Sequence, residues 1–185
     1  MKYKGGRPIF KASASFGRLH QRLWNNHHVS MRVKGIIYRA IVLSTLLYGA
    51  EAWTVYILQV KKLHAFMMRH LRSIKMITWM DKVTNKEILE RIGLPFMEYF
   101  LIRKNLRWTG DIMRMSPERL PKQILYSQLS SGHRKRGRSR LWFKDTIKRN
   151  LKLRDIKIDS WTSLSQHRDK CMYGFHSPLG IGRPK

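Results

Sequence analysis

The stretch TNKEILERIGLPFMEYFLIRKNLRWTGDIMRM, residues 84–115, decides the fold class. It opens with a capping box, in which the Thr84 hydroxyl and the Glu87 carboxylate can each satisfy an unpaired amide at a helix start. The short helix stops at Gly93, and Pro95 suits the first turn of the next helix. The side of that second helix predicted to be buried consists of Met97, Phe100, Leu101, Trp108, Ile112 and Met115. The stretch therefore predicts two consecutive helices joined by a glycine turn.

The same helical spacing of apolar residues recurs on both sides of this stretch. Further helices are predicted at about 14–24, 30–49, 54–77, 121–129, 140–153 and 160–170. No run alternates apolar and polar residues for longer than about four positions, as a half-buried strand would. The predicted fold is all-α: an irregular bundle of about six to seven helices with basic loops and a disordered C-terminal tail.

Two of these helices have a predicted buried face. Ser30 is the expected cap of the first, and its face comprises Val33, Ile36, Ile37, Ala40, Ile41, Ser44, Leu47 and Tyr48. The second begins after Trp53, with Thr54 as its expected cap, and carries inward Val60, Leu63, Phe66, Met67, Leu71, Ile74 and Ile77. All tryptophans except Trp79 and Trp142 are predicted to belong to the core.

Composition points to a polyanionic partner. The chain of 185 residues has 38 lysines and arginines against 11 acidic residues, a net charge of +27 that opposes compaction unless a polyanion neutralises it. With 43% apolar residues it can still bury a core. The lone Cys171 excludes an internal disulfide, which indicates a reducing compartment, nucleus or cytosol. The uncharged run Ala40–Ala50 is shorter than the roughly 20 residues of a membrane helix, so no membrane span is predicted.

The most basic stretch is SSGHRKRGRSRLWFKD, residues 130–145. Three interpretations stay open: a solvated loop, a nuclear address, or a phosphate clamp, which we favour. In the clamp, Gly132 and Gly137 give backbone freedom, and Trp142 lies against a sugar or base. Its cations are Arg134, Lys135, Arg136, Arg138 and Arg140, extended into the following helix by Lys144 and Lys148.

A second basic candidate lies on the helix that begins near Pro95. Arg103, Arg107 and Arg114 are separated by four and seven residues, and this spacing keeps them within roughly a 40° arc at about 100° per residue. The sequence therefore predicts a basic stripe on this helix.

No catalytic, metal or cofactor site is predicted. Glu87 with Glu90, and Asp155 with Asp159, are the carboxylate pairs at short spacing, but each has a structural explanation as a helix cap or turn. Cys171 with His167 and His176 offers at most three ligands at irregular spacing, whereas a structural zinc site needs four.

An alternative function rests on residues 84–108. Their short helix, glycine turn and arginine-bearing helix are compatible with a helix-turn-helix, and the chain would then be a stand-alone or domesticated basic DNA-binding regulator. The same pattern also joins ordinary packed helices.

Four segments together resemble the C-terminal part of a non-long-terminal-repeat (LINE-type) retrotransposon endonuclease-reverse transcriptase. They are LLYGAEAW (46–53), TWMDKVTNKEILERIGLP (78–95), LRWTGDIMRM (106–115) and RLPKQILYSQLSSGHRKRGRSRLWFKDTIKRNLK (119–152). The resemblance covers about residues 12–170. It implies the helical thumb and linker, which grip RNA, DNA or their hybrid. The catalytic aspartates of the family lie in a palm upstream of anything present, so the chain alone is expected to be inactive and to need a separate palm.

The resemblance also suggests domain boundaries. We expect an unrelated or disordered segment at 1–11, a thumb-like domain at 12–129, a basic loop with linker helices at 130–170, and a disordered tail at 171–185. Asp111, Ser139, His167 and Cys171 depart from the family pattern. These departures suggest a truncated copy, and a structural relic without a binding role is a further interpretation. A binding role would place the protein in the nucleus, with the cytoplasm as a second location.

Overall fold

The computed structural model describes residues 6–126 and 143–167. Within these ranges all regular elements are helical and no β-strand is present, which confirms the predicted all-α class. The five loop cations at 134–140 and the predicted C-terminal tail lie outside the described residues, as does the expected domain boundary near residue 129.

The described α-helices are α1 (Gly6–Arg18), α2 (Met31–Ile37), α3 (Ser44–Leu46), α4 (Ile57–Ile74), α5 (Asn85–Ile92), α6 (Met97–Arg114), α7 (Leu120–Tyr126), α8 (Phe143–Lys152) and α9 (Ile158–Gln166). Two π-helical segments, His20–Trp24 and Tyr38–Leu43, accompany them, and the second joins α2 to α3. Short 3₁₀ turns occupy Ala50–Ala52 and Trp79–Asp81. None of the helices in 6–126 and 143–167 combines the length and the apolar character needed to cross a membrane.

Helix ends agree with several predictions. The Ser30 hydroxyl accepts a hydrogen bond from the Val33 amide, and the Thr84 hydroxyl accepts one from the Glu87 amide. Gly93 ends α5 in the left-handed conformation with φ of 74°, which glycine adopts without strain. The Glu87 carboxylate, however, pairs with Arg91 one turn later, so the structure shows only one half of the predicted capping box.

The predicted start of the next long helix after Trp53 is wrong. Helix α4 begins at Ile57, and the Tyr56 amide before it donates to the Gln59 side chain over 3.0 Å. Residues 51–55, which precede α4, make hydrogen bonds to side chains of other helices. The Glu51 carbonyl accepts one from Asn105, and the Val55 carbonyl accepts one from Arg149. These bonds hold the segment in a non-helical path.

The chain forms two compact units. Among the described residues, the N-terminal body comprises 6–50 and 56–101, and the C-terminal body comprises 51–55, 102–126 and 143–167. Helix α6 thus contributes its residues up to Leu101 to the first body and the remainder to the second.

Stacked aromatic rings fill the centre of the N-terminal body. The Phe16 ring stacks on His70 with centroids 4.0 Å apart and on Trp24 with centroids 5.3 Å apart. Tyr38 meets these rings edge-on, and the Trp24 indole donates to the Phe16 carbonyl over 2.9 Å. Buried aromatic groups therefore unite α1, both π-helical segments and α4, and their polar atoms are satisfied.

Two residues of α2 make close contacts that spacing did not predict. Lys34 is buried, and its ammonium donates to the Trp24 carbonyl over 2.8 Å. This hydrogen bond offsets part of the free energy lost when the charge is removed from water. Gly35 faces the end of α5, where an added Cβ would lie 2.7 Å from the Ile92 side chain and 2.8 Å from its carbonyl oxygen. Only a glycine permits this approach of α2 to α5.

The predicted buried face of the helix at 30–49 is largely wrong. Val33, Ile36, Ile41 and Tyr48 are exposed, Leu47 is buried, and the core side consists of Lys34, Gly35, Tyr38, Val42, Leu43, Leu46 and Leu47. This helix is apolar on more than one side, so spacing alone does not decide which side is covered. The π-helical segment Tyr38–Leu43 also alters the turn, which shifts later residues away from the α-helical register.

Helix α4 buries the predicted side. Leu63, Phe66, Met67, Leu71 and Ile74 are buried, while Val60 and Ile77 are half-buried. A regular α-helix over its whole length explains why the spacing was a reliable guide here.

The core of the C-terminal body consists of Ile102, Leu106, Ile147, Leu151 and Trp161, with Leu125, Phe143 and Ile156 packed against it. Trp24, Trp53 and Trp161 are buried and Trp79 is exposed, as predicted. Trp108 and Met115, predicted to be buried, are only half-buried, because this half of α6 buries a different side, which includes Asn105, Leu106 and Thr109. Trp142 lies outside the described residues.

Candidate nucleic-acid interface

Helix α8 separates a buried side from a basic side. Thr146, Ile147, Asn150 and Leu151 are buried, and this spacing turns the side chains between them toward solvent. Lys148 and Lys152 are exposed, and Lys144 is half-buried. Residues four apart on a helix share a face, so these three lysines lie on one side of α8, which also carries the exposed Asp145.

The Lys144 side chain also links the two ends of the segment 127–142. Its ammonium lies 5.9 Å from the centre of the Tyr126 ring at the end of α7, a cation–π contact. The segment that contains Arg134, Lys135, Arg136, Arg138 and Arg140 therefore leaves and rejoins the described chain at neighbouring points.

The three arginines of the predicted stripe on α6 differ in their exposure and in their contacts. Arg107 is exposed and Arg103 is half-buried. Arg114 forms an ion pair with Asp111 at 2.5 Å and donates to the Ser165 carbonyl at 2.5 Å. Arg114 therefore connects α6 to α9, and two of its donors are already used within the protein.

Buried amides fix α6 against α8 and the segment before α4. The Asn105 side chain donates to the Glu51 carbonyl over 2.6 Å and accepts from Asn150 over 3.2 Å. Both asparagines are buried, and an unpaired buried amide is costly, so the pair holds the two helices in one register. This register fixes the exposed side of α8, which carries Lys148.

The carboxylate of Glu51 is neutralised locally. It lies 2.7 Å from the Lys104 ammonium. Partial burial opposes its ionisation, but the hydrogen bond from Lys104 and the charges of Lys104 and Arg107 outweigh burial and hold the pKa of Glu51 below its usual value. Glu51 is therefore charged at neutral pH and offsets part of the positive charge on α6.

No group of three or more histidine, cysteine, aspartate or glutamate side chains is placed to hold a metal ion within residues 6–126 and 143–167. Glu87 pairs with Arg91 and Glu90 with Lys86, so both are used in ion pairs along α5. Of the weak zinc candidates, His167 caps the end of α9, while Cys171 and His176 lie outside the described residues.

The helix-turn-helix candidate pairs α5 with the start of α6. Ile88, Leu89 and Ile92 of α5 are buried. In the first turn of α6, Met97, Tyr99, Phe100 and Leu101 are also buried, and the exposed residue is the acidic Glu98. A recognition helix reads bases with its N-terminal residues, and a buried or acidic surface there is poorly suited to that role.

One cation on the basic side was missed by sequence reasoning. Lys152 follows Lys148 by four residues and is exposed, so the same spacing that selected Lys144 and Lys148 would have selected it. No protein-family model, curated protein or solved structure matched the chain. The functional assignment therefore depends on the residues themselves and on the surface they form.

Proposed function

We propose that this chain is a nucleic-acid-binding thumb and linker fragment of a LINE-type reverse transcriptase that lacks the catalytic palm. The observation that carries the proposal is the basic side of α8, on which Lys144, Lys148 and Lys152 follow one another at spacings of four residues. In the sequence, α8 directly follows the segment 127–142, which contains five further cations. The whole chain has a net charge of +27.

Two acids of the C-terminal body are paired with cations of α6 and not with those of α8. Glu51 pairs with Lys104 and Asp111 pairs with Arg114, so these two acids are used within the C-terminal body. Arg107 and Lys148 remain exposed to solvent. Exposed cations on a rigid helix attract phosphates and release the counterions that surround a nucleic acid, which is the main source of backbone affinity.

The proposed partner is RNA, DNA or an RNA–DNA hybrid, bound through its backbone. Phosphate contacts position a protein on a nucleic acid but carry no base information. A separate palm is the proposed source of catalysis, and the nucleus is the proposed location, since the basic segment can also act as an import address. The regulator alternative is less well supported, because Glu98 and buried residues occupy the turn of α6 that would read bases.

Binding to unrelated sequences tests the proposal. Fluorescence anisotropy of the purified chain with several duplexes, a hybrid and a single strand of equal length should give similar affinities within each class, all weakening as salt increases. Failure to bind any of them at low salt would contradict the proposal. A strong preference for one duplex sequence would instead support the regulator.

A primer-extension assay tests the proposed lack of activity. With primer, template, magnesium and nucleotides, the chain should incorporate nothing above background, because the two-metal reaction needs closely placed carboxylates and the family's catalytic aspartates belong to the palm. Incorporation that persists through repurification would show that the chain is more than a thumb and linker.

A further inference from the structure

The connection between α4 and α5, residues 75–84, presents an exposed tryptophan. Trp79 is 85% exposed, and its neighbour Met80 is 68% exposed. Both lie on the 3₁₀ turn Trp79–Asp81. Tryptophan normally contributes much of a core, but here the indole ring is accessible to a partner, and its flat face can stack on another ring.

The backbone beneath Trp79 is held by specific bonds. The Asp81 carboxylate accepts from the Thr78 amide at 2.6 Å and from the Thr78 hydroxyl at 2.9 Å. Arg72 of α4 donates to the Val83 carbonyl at 3.0 Å and to the Asn85 side chain at 2.9 Å, which ties both ends of the connection together. The tryptophan therefore projects from a fixed turn.

Lysines flank this turn. Lys75 follows the end of α4, and Lys82 follows the turn in the left-handed conformation with φ of 48°. Asp81 is the acidic residue of the connection, and its carboxylate is occupied by Thr78. Among the described residues, no ion pair involves Lys75 or Lys82. Trp79 therefore has the half-buried Lys75 four residues before it and the exposed Lys82 three residues after it, so the aromatic ring and both cations belong to one short connection.

We propose that Trp79 is a stacking platform for an unpaired base of single-stranded RNA or DNA, with Lys75 and Lys82 contacting the phosphates on either side. An indole stacks on any base, but only an unpaired base offers its face, so this site selects a single strand over a duplex. The inference rests on the proposed function, because it names the form of nucleic acid that one surface of the protein binds.

Substitution of Trp79 in the full chain tests the inference. The affinities for a single-stranded homopolymer and for a blunt duplex of equal length are compared for Trp79→Ala, Trp79→Phe and the wild type. Loss of base–aromatic stacking should weaken single-strand binding by about 5- to 150-fold in Trp79→Ala, by less in Trp79→Phe, and should leave duplex binding nearly unchanged.

Tyr48→Ala is the matched control. Tyr48 is 84% exposed in the same N-terminal body but has no lysine within six residues of it in the sequence, so its loss should not change single-strand binding. Because the Trp79 ring is exposed, Trp79→Ala should unfold at the wild-type temperature, and a fall in affinity then reports binding.

The outcomes separate this inference from the proposed function. If the wild type binds both probes and Trp79→Ala binds the single strand as tightly, the stacking site is wrong while backbone binding stands. If Trp79→Ala weakens only binding to anionic phospholipid vesicles, the stacking site is also wrong. If the wild type binds neither nucleic acid, the proposed function itself fails.

Discussion

The phenolic oxygen of Tyr38 lies 3.3 Å from Nδ1 of His70, at the centre of the N-terminal body. Burial, assisted by the positive charge of Arg69, lowers the pKa of His70 to about 4. Burial also raises the pKa of the Tyr38 phenol. Both groups are therefore neutral at pH 7, and the stacked contact of His70 with Phe16 joins two uncharged rings.

The first prediction concerns acid stability. The folded-state pKa of His70 is depressed, so its contribution is present above the ordinary value of 6.5 and is lost as the pH falls toward about 4. The free energy of unfolding should decrease by about 1–2 kcal/mol over this interval, since solvent screening reduces the full effect of the shift. Burial lowers the pKa of His64 as well, so that residue contributes with the same sign.

Urea unfolding at several pH values measures this dependence. His70→Gln retains a polar side chain but cannot titrate, so its stability should vary less between pH 6.5 and 4 than that of the wild type. His64→Gln provides the comparison for the second histidine. Equal pH dependence in His70→Gln and the wild type would show that the pKa of His70 is not lowered in the folded protein.

The second prediction concerns the approach of α2 to α5. Gly35→Ala should destabilise the protein by about 1–3 kcal/mol, because the new methyl group would meet both the side chain and the carbonyl oxygen of Ile92. Gly17→Ala is the matched control, since it also lies in a helix but has nothing within 4 Å of the new atom. It should stabilise by roughly 0.5 kcal/mol through helix propensity. Thermal unfolding with the opposite order would contradict the observed packing.

The third prediction compares two tryptophans of the C-terminal body. Trp161 is buried in the core, so Trp161→Ala should cost about 3–5 kcal/mol of unfolding free energy. Trp108 is half-buried, so Trp108→Ala should lower the free energy of unfolding by clearly less than Trp161→Ala does. Chemical unfolding of both variants gives the comparison. A larger loss for Trp108→Ala would mean that α9 does not complete the core as described.

The ends of several helices and the buried side of α4 could be predicted from residues close together in the sequence. Ser30, Thr84 and Gly93 act at helix ends through their own side chain or backbone, so short-range sequence was sufficient to place them. The buried side of α4 was equally clear, because one side of that regular helix is apolar and the other is charged.

Other features depend on contacts between distant residues. The helix at 30–49 has apolar residues on two sides, and only packing against Phe16 and His70 shows that Tyr38 is the buried one. Lys34 looks like a surface residue until the Trp24 carbonyl is placed beside its ammonium. In the candidate interface, spacing selected Lys148, which the structure shows to be exposed, but it did not reveal that Arg114 is bonded to Ser165.

The salt dependence of binding tests the central claim, backbone recognition by the basic surface, most directly. Changing Arg134, Lys135, Arg136, Arg138 and Arg140 to serine is compared with the same change at five exposed cations of the N-terminal body, Arg18, Arg22, Arg32, Lys61 and Lys62. Each phosphate contact contributes about −0.7 to −0.9 to the slope of log affinity against log salt. The loop variant should therefore lose up to about 4 units of slope, equally for unrelated sequences, and the control should change far less. An unchanged slope in a normally folded loop variant, or equal losses in both, would contradict the claim.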